Sequence, residues 1–261
     1  MSTVQFSQKE LTTWLALSAT AAQKAGDFLA EAQSRVVVTA SDGRDIKLDA
    51  DRRSEDQIVA LLRQDSDFAI LSEEAGLVET GNSNSGLRWI VDPLDGSMNY
   101  LRGVPLCCVS IALWQDEQPL LGTVYDFNRN ENFTGICGVG AWLNGTPIRV
   151  NQTAERQQAV LFTGFPVGTD FSVEALSGFV EQVREYKKIR LIGSAALSLA
   201  YVAAGRGDAY FERDIKLWDV AAGIVLVQAA GGVTDQPKSL KPNSLSVYAG
   251  SPDLPKPVIA S

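Results

Sequence analysis

Six acidic positions stand where the hydrophobic pattern ends a strand or begins a helix: Asp51, Glu73, Glu74, Asp92, Asp95 and Asp219. They are densest in Trp89-Ile-Val-Asp-Pro-Leu-Asp-Gly-Ser-Met-Asn-Tyr100. Trp89, Ile90 and Val91 read as the end of a buried strand. Pro93 has no N–H and is expected to turn the chain out of the ladder, so that Asp92 and Asp95 converge beyond the strand. Gly96 lets the backbone pass close to a ligand. The amides of Ser97, Met98 and Asn99 then become first-turn donors of a short helix, a setting that favours an anion. Two hard oxygen ligands beside such a turn suit a divalent cation and a phosphate.

Taken singly, each position also has a plainer role. An isolated Asp-Pro-x-Asp-Gly makes a turn. Asp51 sits where the N-cap of a helix belongs, and Asp219 falls in the first turn of an apolar helix. Glu73 and Glu74 could both point into solvent, although adjacent carboxylates after an apolar strand are costly unless something positive lies nearby. As a set, the carboxylates imply cations.

The 261 residues contain no histidine. That excludes Ser-His-Asp and Cys-His triads, histidine-ligated zinc and phosphohistidine chemistry. An enzyme built from this chain works with carboxylates, hydroxyls, Lys, Arg or a hard cation such as magnesium. A net charge of -8 and the lack of a basic run argue against nucleic-acid binding. No apolar window is long enough for a membrane span and the N-terminus has no signal-like pattern, so a cytoplasmic location is expected. Cys107, Cys108 and Cys137 have neither a disulfide nor a zinc spacing and read as reduced, buried small residues.

The elements that position these groups follow in order. Ser7 and Glu10 form a capping box that opens an amphipathic helix running to about Ala32. A strand at 36–39 turns back at Asp42 and Gly43, and a helix follows with Ile58, Leu61 and Leu62 on one face. A polar loop at 81–86 precedes the motif strand. Strands at 107–114 and 120–126 form a hairpin, and 132–137 and 141–143 extend the sheet. Residues 138–145 have misplaced glycines for a dinucleotide loop and fit a hairpin, which excludes a Rossmann site.

The polar stretch 151–158 is the expected boundary between two lobes, residues 1–145 and 146–261. Beyond it strands and helices alternate: a strand at 160–163, a helix at 172–185 and a strand at 189–192. A helix opened by Gly193 and Ser194 and closed by Gly205 offers a second anion-favouring terminus. A strand at 209–212 ends on Glu212, a buried apolar helix spans 218–232, and strands at 233–235 and 246–249 close the fold.

The chain resembles the inositol monophosphatase family, magnesium-dependent and typically lithium-sensitive phosphatases. The resemblance rests on residues 70–74, on residues 89–100 against the signature W-x-V-D-P-[IL]-D-G-T-x-N-[FY], and on residues 218–223 with 230–232. It implies a mixed α/β fold, a layered αβαβα sandwich with an N-terminal α+β half and a C-terminal α/β half, forming a homodimer. It implies two or three Mg2+ held by Glu73, Asp92, the Leu94 carbonyl, Asp95 and Asp219. Asp51 and Ser97, helped by Glu74, would position and deprotonate the attacking water. The amides of Gly96 and Ser97 would hold the phosphate, and Gly193, Ser194, Ala195, Glu212 and Asp219 would line the substrate side. The implied reaction is hydrolysis of a small soluble phosphate such as an inositol monophosphate, with bisphosphate nucleotidase or histidinol-phosphatase activity as alternatives and a regulatory role on the same scaffold as another. Ser97 stands where threonine is usual, and Arg213, Asp214 and Lys216 make the approach to Glu212 more charged than is usual in the family.

Overall fold

A computed structural model describes residues 6–42, 45–79, 86–165 and 169–256. Helix α1 (Gln8–Ala32) begins with the reciprocal cap read from its sequence: the Glu10 N–H donates to Ser7 Oγ at 3.3 Å and the Ser7 N–H donates to Glu10 Oε2 at 2.9 Å. It buries Ala21, Ala22, Ala25 and Leu29 beside α2 (Asp49–Asp65), whose buried face carries Ile58 and Leu62 while Leu61 is half-buried. Between them β1 (Val38–Asp42) and β2 (Asp45–Leu48) form a two-stranded antiparallel ribbon. The ribbon starts later than residue 36, because the Val37 N–H and C=O are taken by Asp49 at the start of α2. Gly43, expected in the turn, and most of the 81–86 loop lie outside the described residues.

The main sheet runs in the order β10-β9-β8-β7-β6-β5-β3-β4. Its strands are β3 (Ala69–Ser72), β4 (Gly76–Val78), β5 (Leu87–Asp95), β6 (Cys108–Gln115), β7 (Gln118–Asp126), β8 (Glu131–Ile136), β9 (Gly140–Leu143) and β10 (Thr146–Ile148). Within this sheet, among the described strands, only the β3–β5 pair is parallel. Both faces are covered, so the central strands are continuously apolar and their side chains sort by parity. In β6, Val109, Ile111 and Leu113 face the α1–α2 core, whereas Cys108, Ala112 and Trp114 face the opposite core.

That second core surrounds α5 (Ala195–Ala203) and α6 (Leu217–Ala229), which lie between the two sheets. Both helices are apolar all round, as helices buried on every side must be. The second sheet, ordered β12-β11-β13-β15-β14, comprises β11 (Val160–Thr163), β12 (Lys188–Arg190), β13 (Ala209–Lys216), β14 (Val233–Asp235) and β15 (Ser244–Gly250). Phe162 and Tyr210 face inward, and Leu161, Ala209 and Phe211 face an outer core. On that outer side α4 (Val173–Glu185) sets Phe179 edge-on to Phe165 at 4.9 Å. A short helix, α3 (Ser97–Arg102), follows β5. The layers are therefore helix pair, sheet, helix pair, sheet and outer helix. No helix among the described residues is long and apolar enough to cross a membrane.

Two further strand boundaries near the site differ from the sequence reading. β13 does not end at Glu212 but continues to Lys216 through an irregularity between Glu212 and Ile215, where Asp214 adopts φ +56°. β5 likewise does not leave its ladder at Pro93.

Candidate metal and phosphate site

The strand β5 pairs Asp92 with Ser110 and Asp95 with Cys108 on β6, so three steps on one strand match two on the other. The extra residue is a bulge at Pro93 and Leu94, a place where a proline costs no ladder bond. Without it, residues three apart would face opposite sides of the sheet. With it, both aspartates share the side on which Ile90 and Cys108 pack, the side occupied by α5 and α6. Asp219 lies in the first turn of α6 on that same side.

All three carboxylates are buried and raised in pKa. Burial pushes the Asp92 carboxyl well above its ordinary pKa, and the charges of Glu73, Asp95 and Asp219 push it further. Asp219 is raised likewise, by burial and then by Asp95, Glu73 and Glu212. Asp95 rises only to about 6, because burial is offset by the Ser194 hydroxyl and the amides of Ala196 and Ala195. Its Oδ2 accepts from the Ala196 N–H at 2.8 Å and from Ser194 Oγ. Ser194 also caps α5, accepting from the Leu197 N–H at 3.2 Å.

Asp51 lies beside this group, almost fully buried. It is the third residue of α2 rather than its N-cap: the cap position falls on Leu48, whose N–H donates to Asp51 Oδ2 at 2.7 Å. Burial raises the Asp51 carboxyl to about 7; the Leu48 amide opposes the rise, and Glu73 and Glu74 add to it. Ser97 Oγ lies 3.3 Å from Asp51 Oδ1 and 3.0 Å from the Leu94 carbonyl oxygen, a donor within reach of both. Glu73 and Glu74 follow β3 in a turn held by Glu55, whose carboxylate accepts from the N–H groups of Glu74 and Ala75 at 3.1 and 3.0 Å. Lys47 on β2 reaches both glutamates, with Nζ at 3.3 Å from Glu73 Oε1 and hydrogen-bonded to Glu74 Oε1.

Gly96 enters α3 at φ +91°, and a Cβ there would lie 2.9 Å from the Leu106 carbonyl and 3.2 Å from that of Gly193. Both the left-handed backbone and the close approach require glycine. Asn99 ties the two loops together, its Nδ2 donating to the carbonyls of Leu106 and Ile192 at 2.8 Å each. Glu212, buried at the far side, is raised to about 7 by burial against a hydrogen bond from Tyr210, whose hydroxyl donates to its Oε2 at 2.8 Å.

The donor set fits a hard divalent cation: carboxylates and a carbonyl, buried and mutually repelling, with neither histidine nor a ligating thiolate. Burial holds the Cys108 thiol far from ionisation. Among the described residues no group of three or more acidic or thiol side chains converges closely enough to hold a metal ion as it stands.

Residues 10–257 match the model of the inositol monophosphatase family. The chain belongs to that family. It is 46% identical over 190 residues to the Nus factor SuhB of Xylella fastidiosa, a match covering 72% of this chain and 68% of that protein. It is 38% identical over 235 residues to an inositol-1-monophosphatase of Synechocystis, covering 87% and 80% respectively. Among solved structures it superimposes on the extragenic suppressor protein suhB of Bartonella henselae with TM-score 0.83 at 32% identity, covering 92% of this chain and 95% of the other.

Within this inositol monophosphatase fold the residues marked in the sequence fall into one region. Asp92, Asp95, Asp219 and Glu73 influence one another's charge, and Asp51 joins them through Ser97 and the two glutamates. Gly193 is placed against Gly96 and Asn99, while the Ser194 side chain and the α5 amides turn toward Asp95. Ala195 is buried. Lys47, Glu55 and the side chain of Asn99 are not singled out by the sequence. For Glu55 a signal existed: Asp51, Ser54 and Glu55 at i, i+3 and i+4 continue the stripe of Ile58 and Leu62, and all are buried. Ser54 uses that position to donate to the Pro93 carbonyl at 2.8 Å, tying α2 to the bulge.

Proposed function

We propose that this chain is a magnesium-dependent phosphomonoesterase acting on a small soluble phosphate of the inositol monophosphate type. The observation that carries the reading is the buried group of Asp92, Asp95 and Asp219, with both strand aspartates brought to one side of β5 by the bulge and all three raised in pKa by burial. Such a group is stable in its ionised form only with cations among its oxygens. Glu73, Asp92, the Leu94 carbonyl, Asp95 and Asp219 would hold two or three Mg2+. When bound, the ions would acidify a water toward neutrality and stabilise charge on the attacking and leaving oxygens of an in-line displacement.

The rest falls to the chain's own groups. Asp51, with a carboxyl at about 7, accepts the proton of the attacking water near neutral pH. Ser97 stands between Asp51 and the Leu94 carbonyl and fixes the water's orientation, with Glu74 beside it. The Gly96 and Ser97 amides hold the phosphate. Gly193, Ser194, Ala195, Glu212 and Asp219 border the alcohol side, with Ser194 acting there through Asp95. The enzyme would act as a cytoplasmic homodimer. Bisphosphate nucleotidase and histidinol-phosphatase activities are the alternatives for the same group of carboxylates.

Phosphate release with and without magnesium tests the reading across inositol 1-phosphate, adenosine 3′,5′-bisphosphate, histidinol phosphate, fructose 1,6-bisphosphate and NADP. One strongly preferred, magnesium-dependent substrate supports it; inert behaviour toward all five refutes it for these classes. A regulatory role on the same scaffold is the second reading, favoured by the name Nus factor SuhB that the Xylella fastidiosa relative carries. Partner capture by the Asp92→Asn variant tests that reading: binding that survives loss of hydrolysis supports it, and loss of both counts against it.

A further inference from the structure

Lys47 places a cation inside the carboxylate group. It stands on β2 directly before Leu48, the residue whose amide holds Asp51, and its side chain crosses to the end of β3. There Nζ lies 3.3 Å from Glu73 Oε1 and also bonds Glu74 Oε1; all three side chains are part-buried. Burial works against the ammonium, but the hydrogen bond to Glu74 and the charges of both glutamates hold it protonated, with its pKa above the ordinary lysine value. An ammonium has three donors and no lone pair. It can therefore never ligate a metal, and it competes for the same carboxylate oxygens that a metal would use. At the other end of the site, burial and the charges of nearby carboxylates raise Asp92 and Asp219, opposed by backbone hydrogen bonds from Leu94 and Lys216.

We propose that Lys47 supplies in covalent form the positive charge at the Glu73–Glu74 end of the site, so that this chain binds fewer divalent cations than the same chain without that lysine. The proposal rests on the magnesium-dependent reading above. It makes the residue at position 47 a determinant of metal stoichiometry: the Asp92, Asp95 and Asp219 end is filled by magnesium, and the Glu73–Glu74 end is neutralised in part by the protein itself.

The test is calorimetric titration of MgCl2 into metal-stripped full-length protein at pH 7.5, as wild type, Lys47→Met and Lys47→Arg. Lys47→Met is expected to take up one more magnesium ion per chain than wild type. Lys47→Arg keeps the charge and is expected to keep the wild-type stoichiometry. Equal stoichiometry and affinity for wild type and Lys47→Met overturns the proposal and leaves the phosphatase reading standing. A gain in Lys47→Arg as large as in Lys47→Met also overturns it, because charge would not then be the cause. Failure of the wild type to bind magnesium overturns both. If Lys47→Met does not give a cooperative thermal transition, Lys47→Gln carries the same expectation.

Discussion

Asp92 and Asp95 are three positions apart in sequence yet face the same side of β5, because the bulge at Pro93 and Leu94 sets them opposite Ser110 and Cys108 of β6. The one-residue insertion converts an alternating strand into a two-carboxylate face directed at α6, where Asp219 waits. Gly96, next after the bulge, turns the chain into α3 at φ +91°.

That turn is sterically strict. Gly96→Ala is expected to lose about 1–2 kcal/mol of stability from the left-handed backbone alone. The added methyl also meets the Leu106 carbonyl at 2.9 Å. Urea denaturation checks the loss, and phosphate release should fall with it because the amides proposed to hold the phosphate would shift. A variant as stable as wild type would show that the turn relaxes freely.

Ser194 serves Asp95 and the N-terminus of α5 at once. Ser194→Ala should therefore lower stability by about 1 kcal/mol through the lost cap. It should also weaken magnesium binding by about 10–100-fold, as loss of a group that orients a ligand does. Calorimetry separates the two effects: lost stability with unchanged metal affinity would assign Ser194 to capping alone.

Asp51→Asn keeps the size of the side chain but removes the proposed proton acceptor. The expected result is a fall in kcat of about 10²–10⁴-fold with KM nearly unchanged. Magnesium affinity should change little, since the ligand set is left intact. A large loss of metal binding with normal kcat at saturating magnesium would assign Asp51 to the metal instead.

The raised carboxyls make the metal-free protein sensitive to pH. Asp95 at about 6, Asp51 and Glu212 at about 7, and Asp92 and Asp219 well above the usual range all retain protons in the folded chain. In the unfolded chain these groups ionise near pH 4. From about pH 4 to 7 the folded state thus binds more protons than the unfolded state, and this cluster's contribution to stability falls as pH rises. Tm of metal-stripped protein should drop between pH 5.5 and 7.5, and magnesium should restore more of it at pH 7.5. An Asp92→Asn/Asp219→Asn double variant should flatten the slope; an unchanged slope would place its cause elsewhere.

The sequence made the chemistry of this site readable and left its assembly obscure. Asp92, Asp95 and Gly96 lie within five residues, so their motif points to a cation and an anion together. The Ser7–Glu10 cap and the apolar α6 are equally local and appear as expected. The bulge was not legible, because Pro93 on its own suits the end of a strand as well as an irregularity within one. Lys47 was not legible either: it meets Glu73 and Glu74 only after the β1–β2 ribbon is set beside β3, a contact across 26 and 27 residues. Glu55 was within reach, since its i+4 spacing from Asp51 puts both carboxylates on the buried face of α2.

The most direct measurement is inorganic phosphate release by wild type and Asp92→Asn side by side, on the preferred substrate, with and without magnesium. The wild type is expected to turn over only with magnesium, and Asp92→Asn to remain folded and release none under either condition. Wild-type turnover that persists without magnesium, or undiminished turnover by Asp92→Asn, would contradict the assignment of this carboxylate group as the metal centre.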